Sequence, residues 1–107
     1  MITYEDFAKL EIRIGTVESV DRIEGADKLL KLIVDLGAEK RQILAGIAEF
    51  LEDPQSLVGK QVPILANLEP RRMRGLESQG MMLAADTEGK PILLHPEVKI
   101  PAGSTVR

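Results

Sequence analysis

Apolar and polar residues alternate along much of this chain, a pattern typical of short β-strands with one face in a core. The clearest strand is predicted over residues 28–37, because every second position from Leu30 to Leu36 is apolar. Lys31 occupies an intervening position and should point away from the core. Another strand is predicted over residues 11–20, where the apolar positions change parity after Gly15. A glycine at such a change indicates a bulge or a sharp bend, as at the corner of a barrel.

The same alternation predicts further strands downstream. They cover residues 40–47, 60–68 and 80–85, with a short apolar strand at 92–94 in the C-terminal tail. Pro63 has no N–H to donate, so it should face an edge or a gap in the strand pairing. Residues 69–79, which carry three arginines, are predicted to be a long polar connection.

Helical signals are confined to the N-terminus and to the middle of the chain. Thr3 is predicted to cap a short helix over residues 4–10, with Asp6 completing a capping box. A helical turn is predicted at residues 48–51, and the Asp-Pro pair at 53–54 favours the start of another. Five short strands with a helical segment between the third and the fourth predict an all-β fold with short helices, the five-stranded Greek-key barrel of the OB fold.

Composition narrows the functional classes. The 107 residues, 44% of them hydrophobic, suffice for one domain, which we divide into an N-terminal helix (1–10), a barrel (11–85) and a C-terminal extension (86–107). No cysteine and no N-terminal apolar run are present, which favours a cytoplasmic location, and no apolar stretch is long enough to predict a membrane partner. His95 is the only histidine, so we expect a turn residue and no metal site or cofactor. Ser78 and Ser104 have no identifiable base, so no catalytic residues are predicted.

The charge distribution leaves nucleic-acid binding open. A net charge of -3 argues against it, yet charge is segregated along the chain. Residues 60–74 contain Lys60 and three arginines but only one acid, Glu69. A basic face on an acidic molecule is therefore possible.

The candidate RNA contacts are basic and amide side chains on the loops and strands where OB folds bind ligands. Those around the later loop are Asn67, Arg71, Arg72 and Arg74, and those around the first loop and the β-hairpin are Lys28, Lys31 and Arg41. Guanidinium groups suit phosphate oxygens because they donate in pairs. With only three aromatic residues, the chain is poorly equipped to stack successive bases, so a folded RNA recognised by shape and backbone is favoured.

Three co-ordered motifs carry a family resemblance: ADKLLKL at 26–32, EKRQI followed by GIAE at 39–49, and the ANLEPRRMRGLESQGM run at 66–81. From about Phe7 to the C-terminus the chain closely resembles the tRNA-binding domain that is appended to methionyl-tRNA synthetases and that also occurs alone. The resemblance implies an OB fold with a C-terminal extension, a homodimer, binding to the outer corner of tRNA, and a possible partnership with methionyl-tRNA synthetase.

The resemblance also implies roles for particular residues. Positions matching the RNA-binding motifs are Lys31, Arg41, Asn67, Arg71, Arg72, Arg74, Ser78 and Met81. The implied dimer interface combines the N-terminal helix with the extension, so we assign Tyr4, Phe7, Ile92 and Leu94 to it. Two positions depart from the stand-alone members, which often have serine at Ala45 and lysine at Arg72.

Two alternatives remain. A peptide-binding or chaperone-like dimer would use an apolar groove lined by Met73, Met81 and Met82. A purely structural dimerisation subunit of a synthetase would bind no free tRNA. Met1 directly ahead of the capped helix favours a natural start, but whether the chain is a whole protein, a subunit or a domain stays open.

Overall fold

The computed structural model describes every residue from Met1 to Arg107. The elements are helix α1 (Tyr4–Ala8), strands β1 (Ile12–Ile23), β2 (Ala26–Asp35) and β3 (Lys40–Ala45), two 3-10 helices (Ala48–Phe50 and Pro54–Leu57), and strands β4 (Gln61–Leu65), β5 (Arg71–Met73), β6 (Leu76–Ser78), β7 (Met81–Met82), β8 (Ala84–Thr87) and β9 (Lys90–Leu93).

The main sheet confirms the predicted all-β, OB-like barrel. Its five strands are antiparallel in the order β3-β2-β1-β4-β7. The alternation read from residues 28–37 is confirmed, since Leu30, Leu32 and Val34 are fully buried and Leu36 is nearly so. These side chains fill the barrel together with β3, β4 and the second 3-10 helix.

Strand β1 turns the barrel corner, but not through a bulge at Gly15. Its first half pairs with β4 and its second half with β2, and the register shifts at Glu18, between Val17 and Ser19. Gly15 has a different role, because any side chain there would collide with Val34 of the neighbouring strand. The parity change precedes the bulge and marks a change of buried face: Val17 belongs to the barrel core, whereas Ile12 and Ile14 lie in a cleft with Val106 of the C-terminal segment.

The predicted helical segments form, although they are shorter than expected. Thr3 caps α1, and the capping box with Asp6 is present. The middle segment consists of two short 3-10 helices, the second capped by Asp53, whose carboxylate accepts from the Gln55 N–H. The helix over residues 4–10 ends at Ala8.

Two predictions for the later half of the chain are wrong in detail. Residues 69–79 are not a loop, since β5 and β6 pair as an antiparallel hairpin within them. The strand expected at 80–85 divides at Leu83, because β7 stays in the barrel beside β4 while β8 leaves it to pair with β9. Pro63 lies inside the sheet, opposite Ile14, and its carbonyl oxygen accepts from Leu83 N (3.0 Å) just beyond the end of β7, so only its missing N–H interrupts the pairing.

The last residues form a strap that returns to the barrel. Backbone hydrogen bonds join Gly103 N to Ile14 O (2.7 Å) and Val106 N to Ile12 O (2.8 Å). The side chain of Gln61 pins the start of the strap, because its Oε1 accepts from Ile100 N (3.0 Å) and its Nε2 donates to Ile100 O (2.7 Å). The segment after residue 85 thus comprises the β8–β9 hairpin and a strap packed on β1.

Candidate nucleic-acid interface

The three clustered arginines lie on the β5–β6 hairpin, residues 71–78, which we call the arginine hairpin. Arg74 and Gly75 form its two-residue turn, and both have positive φ, 53° and 78°. Two positive φ values match a type I′ turn, which suits the right-handed twist of paired strands. A turn this tight fixes where the flanking arginines project. Gly75 was the sequence signal for it.

Arg71, Arg72 and Arg74 are exposed and none forms an ion pair. Of the 14 lysine and arginine residues of the chain, four form ion pairs, and those four lie elsewhere. Arg72 stands opposite Glu77 across the hairpin without pairing with it, and only a long 3.5 Å contact links its Nη1 to Gly75 O. The three guanidinium groups are therefore free to bind an anion.

One side of the arginine hairpin borders an apolar groove of about 430 Å³. Met73, Met81 and Met82 contribute to it, and Arg71 is its only charged lining residue. The other lining residues are Leu29, Leu44, Ala45, Gly46, Ile47, Leu83, Ala84 and Pro91. The predicted contact Met81 is 39% exposed and lies in this methionine groove, next to the arginines.

Lys28 and Lys31 lie on β2, and their side chains form no ion pair or hydrogen bond. Lys31 is half-buried and pairs across strands with Leu44, which lines the methionine groove. Lys28 is exposed near the start of β2. Lys31 is thus one strand away from the arginine side of the barrel.

Ser78 occupies a position at odds with the expected RNA contact. It is 3% exposed, and its hydroxyl accepts from Leu44 N (3.0 Å) and donates to Gly80 O (2.9 Å). With donor and acceptor both used inside the barrel, the hydroxyl has no direct path to a ligand. Ser78 instead helps to join β3 to the segment before β7.

Gln42 and Gln79 complete this junction, and sequence reasoning missed both. Gln79 N donates to Gln42 O (2.8 Å), Gln42 N donates to Gln79 Oε1 (3.1 Å), and Gln42 Nε2 donates to Glu77 O (2.9 Å). We call the contacts of β3 with residues 77–80 the seam. Hydrogen bonds from side chains replace part of the backbone pairing between strands there. No residue spacing in the sequence predicts this arrangement.

Arg41 also serves the barrel. Its Nη1 donates to Ala66 O (2.8 Å) and to Gln79 O (3.0 Å), and its Nε donates to the carboxylate of Glu39. The hydrogen bond with Glu39 raises the pKa of Arg41 and holds the pKa of Glu39 below its ordinary value. The side chain is only 23% exposed, so Arg41 offers little of its guanidinium to RNA.

Asn67 links the barrel to the N-terminal segment. Its Oδ1 accepts from Glu11 N (2.8 Å) and its Nδ2 donates to Lys9 O (2.7 Å). The residue remains exposed, but each end of its amide already has a backbone partner. Its position favours a structural role over a primary RNA contact.

The residues assigned to a dimer interface lie on two exposed apolar areas. Tyr4 is 78% exposed and shares a cleft with Phe7, Leu10 and Val106. Ile92 and Leu94 are 51% and 44% exposed, and Leu94 lines a second apolar cleft with His95, Pro96 and Val106, among others. Val106 borders both clefts, so the two areas are adjacent.

His95 is exposed and lies in an irregular segment after β9 rather than in a turn, and its Nδ1 lies 2.7 Å from Gln61 O. No group of three or more histidine, aspartate or glutamate residues is arranged to hold a metal ion. None of the helices is long and apolar enough to cross a membrane.

The sequence is similar to domains of methionyl-tRNA synthetases. A family model described as "Putative tRNA binding domain" matches residues 12–105. The chain is 52% identical over 107 residues to the methionine–tRNA ligase of Methanothrix thermoacetophila and 50% identical over 105 residues to that of Archaeoglobus fulgidus. It is covered almost completely in both alignments, but it spans only 16% of each relative.

The structure is similar to two solved chains of about the same size. A protein described as MetRS related, from Pyrococcus horikoshii, superposes with a TM-score of 0.94 at 38% identity, covering 100% of this chain and 98% of that one. A chaperone CsaA from Bacillus anthracis superposes with a TM-score of 0.90 at 30% identity, covering 100% and 99%. Both similarities extend through the strap and the β8–β9 hairpin.

Proposed function

Because the chain belongs to the tRNA-binding domain family, we propose that it binds folded tRNA through the arginine hairpin and catalyses no reaction itself. One observation carries this proposal: three exposed arginines without ion pairs lie on a single short hairpin closed by a two-residue turn. Guanidinium groups bind phosphate oxygens bidentately, and a fixed backbone lowers the entropy lost on binding. Lys28 and Lys31 extend the contact along β2.

The molecule as a whole is acidic, which limits its attraction for RNA in general. A net charge of -3 leaves the local arrangement of cations to decide binding. With three aromatic residues in all, base stacking contributes little, so recognition depends on the shape and backbone of a folded RNA. The proposed target surface is the outer corner of tRNA.

In the cell the domain would serve as an affinity aid for methionyl-tRNA synthetase, either fused to it or bound as a separate subunit in the cytoplasm. A second linked contact raises the effective concentration of tRNA at the enzyme without new chemistry. The similarity to segments of two synthetases supports this assignment.

We assign the apolar surface around Tyr4, Phe7, Ile92 and Leu94 to a homodimer interface. Adjacent exposed apolar areas on a soluble domain are unfavourable unless they are covered. Two copies would then present two arginine hairpins.

Light scattering after size exclusion should give twice the chain mass of 11.8 kDa, and the double variant Tyr4→Glu with Leu94→Glu should have the mass of a single chain. A wild-type protein with the mass of a single chain would contradict the proposed homodimer.

The main proposal is tested by titrating tRNA and an unstructured RNA of equal length at several salt concentrations. Shape recognition predicts tighter binding of tRNA at every salt concentration. Phosphate contacts predict a linear fall of log affinity with log salt, with a slope of about 0.7 to 0.9 per phosphate neutralised. Equal affinity for the two RNAs would contradict recognition by shape. An affinity that does not change with salt concentration would contradict phosphate contacts.

A peptide-binding function is the second candidate, favoured by the methionine groove. Three methionines converge on it, and flexible thioether side chains adapt to varied apolar partners. The similarity to a CsaA chaperone points the same way. Met73→Lys with Met82→Lys should abolish peptide binding and spare most tRNA binding if the two functions use separate surfaces.

A purely structural dimerisation subunit would bind no free tRNA, so the protein would then not change the mobility of free tRNA in a gel.

A further inference from the structure

A second cationic cleft lies away from the arginine hairpin. Residues 95–100 form a short loop that Gln61 holds at both ends: its carbonyl oxygen lies 2.7 Å from His95 Nδ1, and its side chain bonds the backbone of Ile100 in both directions. A loop fixed at both ends has little freedom to collapse. The space between this loop and the residues just before β4 is therefore preformed.

The cleft encloses about 300 Å³, the lower end of the range for small-molecule sites, about 300 to 1,000 Å³. Its lining residues are Gly59, Lys60, Gln61, His95, Pro96, Val98 and Lys99. Two are lysines and none is acidic. Glu97 is the one acid of the loop, and it does not line the cleft. The charge of the lining favours an anion.

Two ammonium groups stand at this cleft without partners. Lys60 and Lys99 are exposed, and neither forms an ion pair or a side-chain hydrogen bond. The backbone N–H groups of Gly59 and Lys60 already donate to Val17 O and Leu57 O, at 2.8 and 2.9 Å. The Gln61 amide is occupied by Thr16 and Ile100. A ligand would thus meet two point charges beside a floor on which the Gln61 side chain and the N–H groups of Gly59 and Lys60 already have partners.

This cleft is separate from the arginine hairpin. Lys60 directly precedes β4, whereas the hairpin follows the opposite end of that strand. Five strand residues at about 3.3 Å each separate the two ends of β4 by roughly 16 Å. The two sites share no residue.

We propose that the cleft of Lys60 and Lys99 binds a phosphate group, carried either by the RNA backbone or by a small phosphate ester. Lysine ammonium groups bind phosphate as compact point charges with rotatable donors, so two of them satisfy oxygens without a fixed fork geometry. The site does not depend on tRNA binding by the hairpin.

The test is a two-dimensional 1H–15N NMR titration of the full chain with inorganic phosphate, against sodium chloride at equal ionic strength and pH. Saturable shifts are expected at the backbone amides of residues 59–61, 95 and 97–99 with phosphate only. Lys60→Gln with Lys99→Gln should weaken this binding at least tenfold, whereas the exposed Lys90→Gln should not change it. Identical shifts with chloride, or an unchanged response in the double variant, would overturn the proposal.

Two further titrations identify the source of the phosphate. If the double variant also lowers tRNA affinity and the salt slope by about one unit per lost contact, the RNA backbone occupies the cleft. If tRNA affinity is unchanged and ribose 5-phosphate shifts the same amides, the ligand is a small ester. A variant with Arg71, Arg72 and Arg74 changed to alanine should keep phosphate binding, which separates failure of this site from failure of the hairpin.

Discussion

The segment 67–80 contains two regions with similar side-chain chemistry and different surroundings. Along the arginine hairpin, three guanidinium groups are exposed to solvent without ion pairs. At its base, the seam, the side chains of Gln42, Ser78 and Gln79 bond backbone groups within the barrel, and Arg41 joins them there. Both regions belong to the motif at residues 66–81 or contact it directly.

The difference shows that residue type does not assign a role. A side chain whose donors and acceptors are satisfied within the protein must break those bonds to bind RNA, whereas an exposed arginine gives up only contacts with water. Substitutions of the three exposed arginines should therefore change affinity, and substitutions at the seam should change stability. The following experiments test this separation, beginning with the largest expected effect.

Replacing Arg71, Arg72 and Arg74 together with alanine should weaken tRNA binding by about 100-fold at 0.1 M salt and lower the salt slope by about two, because three phosphate contacts are lost. The free energy of unfolding should change by less than about 0.5 kcal/mol, since the side chains are exposed. A control removing Lys9, Lys90 and Arg107 changes net charge equally. Comparable losses in both variants would mean that net charge, not the hairpin, governs binding.

Ser78→Ala should lower the free energy of unfolding by about 1 to 3 kcal/mol, because the buried Leu44 N–H loses its acceptor. Urea denaturation measures this loss, and tRNA affinity of the folded variant should stay within about threefold of wild type. The control is Ser56→Ala, where an exposed hydroxyl donates to Asp53 O. Unchanged stability combined with lost tRNA binding would return Ser78 to the list of RNA contacts.

Arg74→Asn should stabilise the domain and weaken tRNA binding, because asparagine tolerates the left-handed conformation better than arginine does. We expect a gain of about 0.5 kcal/mol in stability and a loss of about tenfold in affinity. Glu88→Asn is a matched control, since Glu88 and Gly89 form the corresponding positive-φ pair between β8 and β9. It should give the same stability gain with unchanged affinity; a parallel loss of affinity there would contradict a specific role for Arg74.

Asn67→Ala should cost about 1 kcal/mol of stability, because it removes two hydrogen bonds to the segment between α1 and β1. Hydrogen exchange should accelerate at the Glu11 amide in particular, while tRNA affinity stays nearly constant. The opposite pattern, normal exchange with weaker binding, would place Asn67 among the tRNA contacts.

Glu39→Gln should have the smallest effect, visible only in the pH dependence of thermal stability. The hydrogen bond from Arg41 lowers the pKa of Glu39, so its stabilising contribution is present above the ordinary glutamate pKa of 4.5 and is lost as the pH falls through the folded-state value. The wild type and the variant should therefore differ at pH 7 and converge in acid. A difference that persists at low pH would require another cause.

Much of the fold could be predicted from the sequence because its signals are local. Alternation in β2 and the capping box of Thr3 and Asp6 involve residues two or three positions apart. The errors arose where contacts between residues distant in sequence decide the structure. Gly15 is required by close contact with Val34 on the neighbouring strand. The strand expected at 80–85 divides because its second half pairs with β9.

For the candidate site, the sequence by itself determined the family motif, the cluster of arginines and the absence of an aromatic stacking surface. Only the tertiary structure decided which of these polar groups are free, because the partners that satisfy them are far away in sequence. Ser78 meets Leu44 across 34 positions, Arg41 meets Gln79 across 38 and Asn67 meets Glu11 across 56. Short-range patterns determine strands and helix caps. Whether a polar side chain finds a hydrogen-bond partner within the protein depends instead on how the barrel closes, and the closed barrel leaves the arginines of the hairpin exposed.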